Sequence, residues 1–100
     1  MSLSVIAFKV GLSELSGMNG FTLYPNPSKD IFNIEFIFNK PKQLLLEVFD
    51  VNGKQVFNDL INTEKGNNLS SINLEHLGIG NHILKISNGN KFMTRTLVIQ

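Results

Sequence analysis

Cysteine and tryptophan are both absent from this sequence of 100 residues, and tyrosine occurs once. Without cysteine, the chain has no disulfide framework, no thiolate zinc site and no cysteine nucleophile. A domain of this kind folds equally well in reducing and in oxidising compartments. The near absence of Trp and Tyr also leaves few aromatic rings with which to build a platform that stacks on sugars.

An excess of charge of one sign is missing as well. Nine Lys and Arg residues offset eight Asp and Glu residues, which leaves a formal net charge of +1. Nucleic-acid binders concentrate basic side chains on one face, and polybasic membrane patches do the same, so the balance argues against both. No apolar run approaches the roughly 20 residues that a membrane-spanning helix needs. We therefore expect no nucleic-acid partner and a domain that is not membrane-embedded.

What the chain does contain points to one β-rich domain. The length fits a single domain, and hydrophobic residues reach 42%, which excludes an intrinsically disordered chain. Asn occurs thirteen times and Gly eight times, and both residue types favour turns. Ile, Val, Phe and Thr, which favour strands, fill much of the remainder. The composition predicts an all-β domain of short strands.

Alternation of apolar and polar residues locates the strands. The clearest example is 31–38, where Phe32, Ile34, Phe36 and Phe38 share one face, and Leu44, Leu46 and Val48 do the same in the next strand. The full set of predicted strands is 21–24, 31–38, 44–51, 55–61, 69–74, 81–87 and 91–99. About seven short strands with regular turns predict an Ig-like antiparallel β-sandwich. The Cys…Trp…Cys signature of antibody domains is absent.

Turn signals separate these strands. Pro25-Asn26-Pro27 predicts a rigid turn or a sheet edge, because proline donates no hydrogen bond to a ladder. Asn52-Gly53, shortly after Asp50, predicts a two-residue hairpin turn of the primed type. A polar loop is expected over 62–68, and Asn88-Gly89-Asn90 predicts a second hairpin.

The first twenty residues are predicted to precede the domain, which we place at 21–100. Met1-Ser2-Leu3 indicates an added start, and the Ser-, Gly- and Asn-containing stretch 4–20 indicates a linker or a loose first strand. The only helix candidate in the chain is 10–15.

The sequence contains no clear constellation for catalysis or metal binding. A Ser/His/Asp set could be assembled from Ser71, His76 and Asp59, but almost any chain of this length supplies those residue types. His76 and His82 lack metal-ligand spacing; His76 is expected at an exposed corner, and His82 half-buried in a strand. The oxygens of Asp50 and Asn52, or of Asn26 and Asp30, suit calcium. Turn formation explains them better, so we expect no cofactor, no metal and no enzyme.

The order of motifs from Phe21 onward resembles a known family. Tyr24-Pro25-Asn26-Pro27-Ser28 precedes a strand, and the stretch 46–56 contains a strand, a D-x-x-G-K turn and a return strand. Leu77 and Gly80 lead into the stretch 82–86, and Asn88-Gly89 opens a basic, then apolar end that closes at Gln100. Over about 80 residues this arrangement is similar to the type A C-terminal sorting domain of the type IX (Por) secretion system of Bacteroidetes.

The resemblance implies a function that composition could not reveal. Such domains cross the inner membrane with an upstream cargo domain of the same polypeptide, fold in the periplasm and are recognised by an outer-membrane translocon. A surface sortase then usually removes them and attaches the cargo to an anionic lipopolysaccharide, so the cargo ends at the cell surface or secreted. Cleavage would fall in the linker, within 4–20 of this chain.

The resemblance also implies which residues matter. The final strands carry much of the signal in the family, and the basic residues of the last hairpin are candidates for a recognition surface. The predicted recognition residues are Gly80, His82, Lys85, Gly89, Lys91, Arg95, Leu97, Val98 and Ile99. The predicted structural turn residues are Pro25, Asn26, Pro27, Asp50, Asn52 and Gly53.

Two departures and one alternative accompany this interpretation. The usual G-x-Y of the family is Gly80-Asn81-His82 here, and Gln100 stands where a basic residue is common. An unpaired final strand would also offer recognition by strand addition. The alternative function is a carbohydrate-binding or adhesive Ig-like accessory module of a secreted hydrolase, although the sequence shows neither surface aromatics nor a calcium site to favour it.

Overall fold

The computed structural model describes residues 18–100, which form seven strands and no helix. The strands are β1 (Met18–Tyr24), β2 (Ile31–Phe38), β3 (Lys42–Phe49), β4 (Gln55–Thr63), β5 (Gly66–Asn73), β6 (Gly80–Asn88) and β7 (Lys91–Ile99). The predicted all-β sandwich of about seven strands is confirmed. Residues 1–17 lie outside the described residues. They include the helix candidate at 10–15 and all but the last three residues of the predicted linker and cleavage region at 4–20.

Two antiparallel sheets make up the sandwich. The three-stranded sheet has the order β1-β2-β5, and the four-stranded sheet has the order β4-β3-β6-β7. Inward-facing side chains from both sheets form one core, and the alternation predicted for 31–38 and 44–48 is confirmed. The buried hydrophobic residues are Met18, Phe32, Ile34, Phe36, Phe38, Leu44, Leu46, Val48, Ile72, Leu74, Leu84, Ile86, Met93, Leu97 and Ile99.

The first strand begins three residues earlier than predicted. β1 starts at Met18, which is buried in the core, and its pairing with β2 shifts register between Met18 and Gly20. A bulge places two residues of one strand opposite one of its partner and breaks the two-residue period. The period therefore does not extend from Phe21 back to Met18, and the sequence pattern hides the start of this strand.

The turn between β3 and β4 is longer than the predicted two-residue hairpin. β3 ends at Phe49, so Val51 lies in the turn and is 78% exposed rather than part of the strand. The amide of Gly53 donates to the carbonyl of Asp50 (3.0 Å), and Gly53 has φ +84°. The Asp50 carboxylate accepts from the amides of Asn52 (2.9 Å) and Lys54 (3.0 Å). These bonds stabilise a turn closed by a glycine in the left-handed region, the three-residue hairpin type.

The predicted polar loop at 62–68 is mostly strand. β4 continues to Thr63 and β5 begins at Gly66, so only Glu64 and Lys65 lie between these two strands, where the chain crosses from the four-stranded to the three-stranded sheet. Asn68 accepts from the amide of Glu64 (2.9 Å) and donates to its carbonyl (2.8 Å). The side-chain amide thus replaces a backbone partner at the crossover. Asn62 and Asn67 face solvent in strand conformation, whereas Thr63 is buried and its hydroxyl donates to the carbonyl of Lys42 (3.1 Å).

Candidate functional site

The last two strands form a regular hairpin. β6 and β7 pair along their whole length, from Gly80 opposite Ile99 to Asn88 opposite Lys91. Gly89, with φ +64°, occupies the turn that the sequence predicts. This hairpin contains all nine predicted recognition residues, and it forms one edge of the four-stranded sheet.

Strand alternation divides those residues into buried and accessible groups. Leu97 and Ile99 are core residues at 0% and 2% exposure, and His82 is 7% exposed, with Nδ1 3.4 Å from the carbonyl oxygen of Gly80. His82 is therefore more deeply buried than the half-buried position expected for it. Val98 is half-buried on the opposite face of β7. A partner that approaches the folded domain does not reach the three buried side chains without opening the sandwich.

The three basic residues of the hairpin do not form one patch. The Lys85 Nζ lies 4.8 Å from the centroid of the Phe92 ring, on the solvent face of the sheet. The Arg95 guanidinium lies 5.1 Å from the centroid of the Phe21 ring, which belongs to the other sheet. Lys91 is exposed at the end of the hairpin. The three basic residues, which the sequence offers as a candidate recognition surface, are therefore divided, because alternation turns Lys85 and Arg95 to opposite faces.

Residues 26–28, which we call the edge clamp, run along the outer edge of β7. The Asn26 side chain donates from Nδ2 to the carbonyl of Thr96 (2.8 Å) and accepts at Oδ1 from the amide of Val98 (3.0 Å). Next to it, the amide of Ser28 donates to the carbonyl of Val98 (3.0 Å), and the amide of Gln100 donates to the carbonyl of Ser28 (2.9 Å). The Asn26 amide thus imitates the peptide group of a neighbouring strand.

Ser28 anchors the edge clamp to the body of the sandwich. Ser28 is 8% exposed, and its hydroxyl donates to the carbonyl of Ile31 (2.6 Å) at the start of β2. Asp30 accepts at its carbonyl from the amide of Leu74 (2.8 Å). The predicted rigid turn at Pro25-Asn26-Pro27 is therefore also the device that holds the end of the chain.

Because of the edge clamp, the outer edge of the final strand is not unpaired along its whole length. Over residues 96–100, the outer hydrogen-bonding groups of β7 are taken by Asn26 and Ser28. The Arg95 guanidinium donates to the carbonyl of Thr94 (2.7 Å). Strand addition along this part of β7 therefore requires that the clamp be displaced first.

The other candidate sites of the sequence are not assembled. Ser71 donates its hydroxyl to the side-chain oxygen of Asn33 (2.7 Å), so its proton is not directed at His76. The Asp50 carboxylate is used by its own turn. In the same range, no group of three or more His, Asp or Glu side chains is placed to hold a metal ion. His76 is exposed, as expected.

Two further surfaces bear on ligand binding. The exposed aromatics Tyr24 and Phe92 belong to different sheets, so they do not form a common stacking platform. An open depression lies beside the β3–β4 turn, with Phe49, Val51 and Ile83 in its mostly apolar lining.

Within the part of the chain that the structure describes, no helix has the length and apolar character needed to cross a membrane.

Replacing Asn26 with Ala should loosen the end of β7 selectively. Two hydrogen bonds to β7 disappear, at about 1 kcal/mol each, so the free energy of unfolding should fall by about 1–2 kcal/mol. The Val98 amide, which loses its acceptor, should exchange with solvent roughly tenfold faster in hydrogen–deuterium exchange. Asn67→Ala, at an exposed position of β5, is the matched control. Unchanged exchange at Val98 in Asn26→Ala would contradict the clamp.

The geometry of the hairpin and the edge clamp does not by itself identify a protein family, but a comparison with protein families does. Residues 22–100 match the secretion system C-terminal sorting domain family. No match is found among curated proteins. The matched range runs from β1 to the last residue and includes both the edge clamp and the final hairpin. The chain therefore belongs to the family of C-terminal sorting domains of the type IX secretion system.

Proposed function

We propose that this domain is a non-catalytic address label that directs an upstream cargo domain through the type IX system to the cell surface. The family match over residues 22–100 carries the proposal. The fold is consistent with it, since the label forms its own single core without a disulfide. Such a core lets one domain fold after many different cargos.

The proposal includes steps on either side of translocation. The cargo passes through the periplasm, the outer-membrane translocon recognises the label, and a surface sortase then cleaves before the domain. The cut falls within 4–20, the linker predicted from the sequence. Because Met18 belongs to β1 and to the core, we place the cut before residue 18. Cleavage after Met18 would remove this core residue from the label.

The exposure of the hairpin residues limits which of them the translocon can contact. Lys91 and Gly89 are exposed at the hairpin end, and Lys85, Arg95 and Val98 are half-buried. Because Leu97, Ile99 and His82 are buried, they act through folding rather than through contact. Gly80, with φ +138°, and Gly89 set the backbone of the hairpin. We place recognition at the exposed hairpin end and assign the buried residues to stability.

The test is to fuse the whole chain to a secreted reporter in a cell that has the type IX system. The reporter should reach the cell surface or the medium, and its mass should place a cut within residues 4–20 of the chain. The same fusion in a cell that lacks the system should remain periplasmic. Periplasmic retention in the competent cell, with a folded domain, would overturn the proposal.

A charge-reversal pair tests the surface assignment in the same assay. Lys91→Glu should increase periplasmic retention, because it reverses the exposed charge at the hairpin end. Lys40→Glu reverses another exposed charge, in the turn between β2 and β3, and should have no effect. Equal export of both variants would remove Lys91 from the recognition surface.

A further inference from the structure

The solvent face of the four-stranded sheet, which we call the outer face, carries several large apolar side chains among its polar residues. Leu60 is 57% exposed, Phe92 46% and Ile83 39%, while Leu45 and Phe49 are half-buried. The inner face of this sheet already packs against the three-stranded sheet, so these side chains lie outside the core. Large exposed apolar patches on soluble domains mark interaction surfaces.

The strand registers arrange the outer face in rows that run across the sheet. One row runs from Leu60 on β4 through Leu45 and Ser87 to Phe92 on β7, and another runs from Phe49 through Ile83 to Thr96. Between these two rows, Glu47 on β3 lies directly opposite Lys85 on β6. Apolar rows therefore flank one acid and one base at the middle of the sheet.

Glu47 and Lys85 are neighbours, but each turns away from the other. Glu47 accepts a hydrogen bond from Gln55 Nε2 (2.6 Å), toward β4. Lys85 places its ammonium group over the Phe92 ring, toward β7. The two charged groups therefore point away from the boundary between β3 and β6, and both remain available to a facing surface.

We propose that the outer face binds a second copy of this domain, face to face, across a two-fold axis that runs parallel to the strands between Glu47 and Lys85. A half-turn about that axis places β3 over β6 and β4 over β7 of the second copy. Glu47 then faces Lys85 of the other copy, Phe49 faces Ile83 and Leu60 faces Phe92. The face is complementary to itself in charge at Glu47 and Lys85 and pairs apolar side chains at two flanking positions, while Leu45 faces Ser87 of the other copy.

The size of the face limits the strength of the dimer. Four strands about 4.8 Å apart and about 3.3 Å per residue over eight residues give roughly 500 Å² per copy. The total of about 1,000 Å² lies at the lower end for specific interfaces. The dimer is therefore weak and in fast exchange, and its population rises with protein concentration. This inference stands apart from the sorting function and is tested on the isolated chain.

Sedimentation equilibrium of the full chain between about 10 µM and 1 mM measures the association. The average mass should rise from one chain toward two over this range. Glu47→Lys and Lys85→Glu should each weaken association at least tenfold, because each places like charges face to face. Leu60→Asp, at an exposed position that should not disturb folding, should also weaken it. Glu75→Lys and Lys40→Glu, exposed outside the outer face, should leave it unchanged.

Mixing Glu47→Lys with Lys85→Glu tests whether the effect of each charge reversal acts between two copies or within one copy. In a mixed dimer, the lysine introduced by Glu47→Lys faces the glutamate introduced by Lys85→Glu, and the unchanged Lys85 of the first chain faces the unchanged Glu47 of the second. Both contacts join opposite charges, so association should recover to within about threefold of the original chain. An effect confined to one chain is not rescued by mixing. A single-chain mass for the original protein at 1 mM, wild-type association of Leu60→Asp, or no recovery on mixing would overturn the proposal.

Discussion

A chain that ends at Phe92 should show no cooperative unfolding transition. The deletion removes Met93, Leu97 and Ile99, which are between 0% and 2% exposed in the core. Losing one large buried side chain costs about 2–5 kcal/mol, and a domain of this size is stable by only about 5–15 kcal/mol. The three losses together match the whole stability of the domain, before the loss of the β6–β7 ladder is considered.

Thermal melting followed by far-UV circular dichroism measures this effect. The truncated chain should lack both the β-sheet signal and a sigmoidal transition. The matched control is a chain that lacks only Gln100, which loses one hydrogen bond, from its amide to the carbonyl of Ser28. That control should remain within about 1 kcal/mol of the original chain. A cooperative melt of the truncated chain near the original temperature would show that β7 is dispensable for the fold.

The same truncation on a secreted reporter connects the fold to sorting. The reporter should stay in the periplasm when residues 93–100 are missing and should be exported when only Gln100 is missing. Normal export without these residues would show that the final strand does not carry the sorting information.

Local patterns predicted the regular parts of this fold well. β7 has the predicted bounds because the Asn88-Gly89-Asn90 turn marks its start, although Arg95 interrupts its inward apolar positions. β2 also has the predicted bounds, because Phe or Ile fills every inward position and gives a period-two signal. The predicted core faces of β2 and β3 are confirmed for the same reason. At Met18 and around Asn62, a bulge and polar edge residues remove the alternation. Sequence periodicity therefore underestimates the length of β1, β4 and β5.

The edge clamp could not be predicted from the sequence. The residues 26–28 are named in the motif, but their partners on β7 lie about 70 residues later in the chain. Neither proline nor asparagine patterns specify a contact at that separation, since it depends on how the two sheets stack. The opposite faces of Lys85 and Arg95, by contrast, follow from strand alternation, because Lys85 lies between the inward Leu84 and Ile86 whereas Arg95 shares the face of Met93 and Leu97. Tertiary structure was needed for the edge clamp but not for this division of charges.

Replacing Phe36 with Ala should lower the free energy of unfolding by about 3–5 kcal/mol. Phe36 is fully buried on β2, the middle strand of its sheet. Its ring lies 5.7 Å from the Phe21 centroid and 6.0 Å from the Phe38 centroid, so truncation leaves a cavity among aromatic rings. Urea denaturation followed by circular dichroism measures the loss as a lower midpoint at an unchanged slope.

Phe92→Ala is the matched control, because it removes the same side chain from the outer face, where Phe92 is 46% exposed. It should cost about 1 kcal/mol or less, mostly through the lost contact with Lys85. Equal losses at the two positions would contradict the division between core and outer face. On the secreted reporter, Phe36→Ala leaves every proposed recognition residue in place. Export should therefore fall only to the extent that the folded population falls, because a label read as a folded domain fails when it unfolds.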